Sequence, residues 1–147
     1  MNKVQRTLLL NQSIGREAVH SHLREDELEG IDFRVLTTMA QCREEHLRRS
    51  ELGTMLTAES MESLGPENKD IQIVMTDGLS AEAIHHNIHD MLTVLEDGLR
   101  SRNYSMGRHI LVHYGRVKLT ECIGDALRCP VSYTHLRAHE TPEHLVC

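Results

Sequence analysis

Two short runs rich in β-branched residues, IQIVM at 71–75 and HILVHY at 109–114, flank one long amphipathic stretch, and this arrangement constrains the fold most tightly. Between them Ile84, Ile88, Met91, Leu92, Leu95 and Leu99 recur at the spacing of a single helix face. Ser80 stands where a helix N-cap belongs, Glu82 is favourably placed in the first turn, and Asn103 and Gly107 end the pattern. Strand, helix of about 20 residues and strand make a βαβ unit, which predicts two parallel strands joined by a right-handed crossover.

That topology points to a place. In open α/β sheets, ligands bind beyond the carboxyl ends of the strands. Two turns fall there, Thr76-Asp77-Gly78-Leu79-Ser80 and Gly115-Arg116-Val117, and each carries a glycine that lets backbone come close to another group. A ligand or subunit contact and plain turn architecture both satisfy this pattern. Asp77 can serve as an acid or base, although a D-G pair also serves turn geometry. Arg116 can hold a phosphate or carboxylate by a bidentate contact, or form an intersubunit or surface ion pair.

Elsewhere the patterning is weaker. Val4 to Leu23 reads as a helix interrupted near Gly15, Phe33 to Leu36 as a short strand, and Leu47 to Leu64 as a second helical pattern. The segment GPENKD, Gly65 to Asp70, has every local signal of a loop. It divides a mainly helical part, 1–65, from an α/β part, 66–128. RVKL after Gly115 is predicted to continue extended, and TECIGDAL to begin a helix. With no Trp and one Phe, the core must come from Leu, Ile, Val, Ala and Met, and Met39, Met55, Met61, Met75 and Met91 are expected to fill it.

The formal charge of -6, with Lys and Arg spread along the chain, argues against nucleic acid or an anionic membrane as partner. No apolar run approaches the roughly 18 residues of a membrane span, and no signal peptide is read at the N-terminus. Cys42, Cys122, Cys129 and Cys147 form no C-x-x-C pair, which suits a reducing cytosol.

IQIVMTDGLS and YGRVKLTECIGDAL, taken together, resemble the small subunit of ethanolamine ammonia-lyase. That family's patterns read V-Q-I/V-V-x-S-D-G-L-S and Y-G-R-V-x-x-x-D-x-I-G-E; here Thr76 replaces the serine, and Glu121 and Asp125 are the acidic stand-ins. Upstream, EEHLRRSELGTML is similar to a degraded Y-L-x-R-P-D-L-G-R-x-L, and LLLNQSIGREAVHSHL fits the helix before it. The likeness runs from about Arg6 to Leu127.

The resemblance implies a helical N-terminal part followed by a truncated Rossmann-like βαβ portion. It implies a lyase that converts ethanolamine to acetaldehyde and ammonia with adenosylcobalamin. The cofactor would lie between this subunit and a large subunit that holds the substrate, in the cytoplasm or a bacterial microcompartment. Catalytic acid–base groups would not lie on this chain. The valine of Y-G-R-V, Val117, would contact the cobalamin, with Arg116 and Ser80 on the same turns as further candidates. Two other contacts implied for the family, in G-E-R-P-G-L and R-x-C-I-S-N-I motifs, have no counterpart in this sequence.

From Cys129 onward, CPVSYTHLRAHETPEHLVC resembles translated adaptor sequence, so 129–147 is expected to be a non-native tail on a truncated chain. Within it, His139 to His144 fails the H-E-x-x-H spacing and contains Pro142. His85 and His89 lie one turn apart, with His86 between, and read either as a solvated helix face or as part of a metal site. A stand-alone α/β ligand-binding or signalling module, a non-functional gene fragment and a histidine-rich metal binder stay open beside the lyase reading. A βαβ unit without its next strands is expected to leave an exposed edge and an uncovered sheet face, and marginal stability without a partner.

Overall fold

The computed structural model describes residues 23–78 and 81–130, and for residues 82 and 83 only the backbone. The helical pattern before Leu23, Ser80 and the histidines of the C-terminal tail lie outside the described residues. In chain order the elements are β1 (Phe33–Thr37), α1 (Arg43–Arg48), α2 (Ala58–Glu62), β2 (Val74–Thr76), α3 (Ala81–Arg100), β3 (His109–His113) and α4 (Leu119–Leu127). Single 3-10 turns occupy Glu25–Leu28 and Ser50–Thr54. The chain is mixed α/β, with four helices and one parallel sheet of three strands among the described residues.

The sheet order is β1-β3-β2. β2 and β3 are parallel neighbours joined by α3, as the sequence pattern predicts, with Thr76 opposite Val112. β1 pairs with the other side of β3, with Thr37 opposite His113. The sheet therefore takes strands from both sides of the Gly65–Asp70 loop. Arg34 of β1 also forms an ion pair with Glu67 in that loop.

Alternation along the strands sends side chains to opposite faces. Leu111, Ile73 and Met75 join Ala81, Ile84, Ile88 and Leu92 of α3 in one core. Ile110, Val112, Val74 and Leu36 pack with Leu119, Ile123 and Leu127 of α4 in the other. Burial on both faces explains why IQIVM and HILVHY read as unbroken apolar runs. It also corrects the expectation of an uncovered sheet face: α4 returns across the side opposite α3. β1 and β2 remain edge strands.

Three further expectations fail. The pattern from Leu47 to Leu64 is not one helix; it divides into the end of α1, a 3-10 turn, a bridge and α2. The cause is tertiary pairing: Thr38 bridges Leu56 antiparallel, and the Met39 N–H donates to Met55 O (2.9 Å). Thr57 then caps α2 by accepting from Ser60 N–H. Met39, Met55 and Met61 are consequently exposed, while Met75 is buried and Met91 half-buried against the α3 core. Nor does RVKL continue extended. Leu119 N–H donates to Arg116 O (2.9 Å) and Thr120 N–H to Val117 O (3.0 Å), so the chain turns straight into α4.

Candidate functional site

The three strands end together, and the turns that follow β2 and β3 meet over α1. Thr76 hydroxyl donates to Gly115 O (2.9 Å) and accepts from Gly78 N–H (3.3 Å). Asp77, fully buried, accepts the Tyr114 N–H on Oδ1 (2.5 Å). That bond meets Tyr114 in a left-handed conformation, φ 56°, which an L residue holds only when its surroundings fix it. The structure thus brings together the two turns that the sequence singles out.

The two glycines have a purpose other than exposing backbone to a ligand. A Cβ on Gly78 would collide with the Gly115 carbonyl, and one on Gly115 would fall 2.6 Å from Thr76 Oγ1. Each turn is glycine-bearing because the other turn occupies its space.

Sequence reasoning missed α1. Arg43 and His46, three residues apart on its inner face, are 2% and 0% exposed. Arg43 Nη1 donates to Asp77 O (2.7 Å), and His46 Nε2 lies 3.1 Å from Gly78 O, so that nitrogen carries the proton. Arg116 returns the link: its N–H donates to Gly53 O (2.8 Å) and its Nη2 to His46 O (3.1 Å). Gly53 is a third close approach, since a Cβ there would lie 2.7 Å from Tyr114 O and 2.9 Å from His46 Nδ1. The one available signal was the SELG stretch of the degraded upstream pattern, which carries Gly53.

The electrostatics follow from burial. Desolvation holds His46 below its ordinary value, helped by the nearby Arg116 and Arg43 charges and opposed by the Gly78 and Tyr114 carbonyls. His46 Nδ1 faces the Tyr114 side of its slot without a well-formed hydrogen bond. Arg43 is also lowered by burial, with the Asp77 charge acting against it. Tyr114 is raised, first by burial and then by Asp77. Asp77 Oδ2 and Arg116 Nε are buried here without a partner.

Of the candidate cofactor residues, Val117 is half-buried in the turn before α4, and its carbonyl accepts from Thr120 N–H and the Thr120 hydroxyl (2.8 Å). Its side chain has no polar atom and can offer only apolar packing. Arg116 is directed inward, one arm already held by His46 O. The histidines of α3 divide. His86 and His89 are exposed, but the side chain of His85 is only 6% exposed: its Nε2 accepts Arg24 N–H (3.0 Å) and its Nδ1 lies 3.2 Å from Glu27 Oε2. The solvated-face reading is therefore corrected at His85. Among the described residues no three His, Cys, Asp or Glu side chains are grouped to hold a metal ion.

With this geometry in place, comparison with known proteins is decisive. The family model described as Ethanolamine ammonia-lyase light chain (EutC) matches residues 2–135. This chain belongs to that family. A relative from Clostridium acetobutylicum, named ethanolamine ammonia-lyase small subunit, is 30% identical over 125 residues. The alignment covers 83% of this chain and 52% of the relative, so the chain spans about half the length of that light-chain relative. Within the described residues, no helix is long and apolar enough to cross a membrane.

Proposed function

We propose that this chain acts as the small subunit of an adenosylcobalamin-dependent ethanolamine ammonia-lyase, completing the cobalamin site at the interface with a large subunit. One observation carries the reading. The family match spans 2–135, and within it lie both motif-bearing turns, now packed against one another at the carboxyl ends of β2 and β3. The proposed site residues are Val117, Arg116 and Ser80. Val117 packs its side chain against the corrin, and Arg116 sets that turn on α1. Ser80 is the serine of the D-G-L-S motif and lies outside the described residues. The cofactor supplies the radical chemistry of the lyase. The residues of this chain bind, orient and cover, and no general acid or base is assigned to them.

The reading makes the sheet, with β1 from the first part paired to β3, the core of a Rossmann-like, cobalamin-facing portion. The chain is then a subunit of a hetero-oligomer, inactive by itself, in the cytoplasm or a bacterial microcompartment.

Co-purification with an ethanolamine ammonia-lyase large subunit tests this, with and without cobalamin, comparing the full chain with a form ending at Leu127. Both forms are expected to bind equally. A folded chain that binds the large subunit in neither form overturns the reading in favour of a stand-alone ligand-binding module.

A further inference from the structure

The imidazole of His46 is fully buried and stands at the junction of the two turns that carry the family motifs. Its ring reaches the β2 turn through Gly78 O (3.1 Å), and its own carbonyl receives the Arg116 guanidinium of the β3 turn (3.1 Å). The slot around it has little slack. A Cβ on Gly53 would lie 2.9 Å from Nδ1, and one on Gly78 3.6 Å from Cε1, so glycines on two sides leave space for one flat ring. Tyr114 closes the neighbourhood with its ring centroid 6.3 Å away.

We propose that His46 is a positioning residue for the cobalamin-facing turn Gly115–Val117, acting through Gly78 and Arg116 to set the distance between the two turns. The inference rests on the cobalamin reading above. A site residue holds productive geometry only when the groups behind it are locked by packing and hydrogen bonds. Val117 is one peptide away from Arg116, whose N–H and guanidinium both end on the segment that His46 anchors. Loss of the ring would open the slot, and loss of the donor would free Gly78 O from its partner on α1. Arg43 would still hold Asp77 O (2.7 Å), so the effect is a shifted turn and not an unfolded chain.

The test uses the full chain assembled with a large subunit and adenosylcobalamin as the probe, in equilibrium dialysis. His46→Leu removes the donor at similar volume; His46→Gln keeps an N–H. His46→Leu is expected to co-purify in wild-type amounts, raise the Kd for cobalamin about tenfold, and speed hydrogen exchange at the Arg116 amide but not at the Leu111 amide. His46→Gln is expected to restore affinity to within about twofold of wild type. If His46→Leu does not assemble, His46→Phe, which keeps the ring and loses the donor, replaces it with the same expectation. Unchanged affinity without the donor overturns the inference, as does a His46→Gln protein that binds as weakly as His46→Leu. A wild-type pair that retains no cobalamin defeats the proposed function and this inference with it, an outcome distinct from both.

Discussion

Arg43 and His46, one helical turn apart on α1, hold the consecutive carbonyls of Asp77 and Gly78, at 2.7 and 3.1 Å. Arg116 answers from the β3 turn by donating to His46 O, and Asp77 answers from the β2 turn by accepting Tyr114 N–H. Three segments distant in sequence therefore fix one another. This is how a chain with a three-stranded sheet presents two turns in a defined relation, and why loss of a close contact at the junction should be read in stability.

The closeness of the two turns is tested by Gly78→Ala. The added methyl meets the Gly115 carbonyl, which is backbone and cannot swing aside. A loss of about 1–3 kcal/mol is expected, read as a lowered midpoint in urea unfolding with an unchanged slope. A midpoint within error of wild type would show that the turns are further apart than the 2.9 Å bond from Thr76 to Gly115 O requires.

The opposite sign is expected at Gly98. It lies inside α3, nothing sits within 4 Å of where its Cβ would be, and its backbone is helical. Gly98→Ala should stabilise by up to about 1 kcal/mol, since alanine loses less chain entropy in a helix interior. The same urea series measures it, and a destabilised Gly98→Ala would place an unrecognised neighbour on that face.

Asp77 is expected to matter for its acceptor more than for its charge. Asp77→Ala leaves the Tyr114 N–H unpaired beneath the turn, at a cost of about 1–3 kcal/mol. Asp77→Asn retains the oxygen and should lose less. Equal losses in the two variants, by thermal or urea unfolding, would make the carboxylate charge opposite Arg43 the dominant contribution instead.

What could be read in the sequence, and what could not, divides along the range of the interaction. Ile84, Ile88 and Leu92 declare their face through helical spacing alone, and the runs around Val74 and Ile110 declare burial on both sides. Gly78 and Gly115 were legible as sites of close approach, but not as partners of each other, because nothing local says what fills the space. Thr76, standing where the resemblance expects serine, is legible afterwards: it keeps a hydroxyl, and that hydroxyl bonds Gly115 O. Arg43 and His46 gave no signal. Their partners lie 34 and 32 residues away, and a charged residue in a polar stretch is ordinarily solvated. The helix read through Leu47–Leu64 failed for the same reason, since a bridge to Thr38 outweighed a periodic pattern.

The pH dependence of stability should carry the signature of His46. Its folded value is depressed, so the folded chain binds fewer protons at this site than the unfolded chain as pH falls through the ordinary histidine value near 6.5. The stabilising contribution is therefore complete above that pH and is lost as pH falls below it, until the folded imidazole also protonates. Urea midpoints from pH 8 to pH 5 should decline more steeply for wild type than for His46→Gln, which keeps a donor and cannot titrate. The pairs His109–Glu96 and His113–Glu25 remain in both proteins, so their contribution cancels in the difference. Parallel declines would mean that His46 takes up its proton as readily in the folded chain as in the unfolded one. Its slot would then have to be open to water, contrary to its complete burial between Gly53 and Gly78.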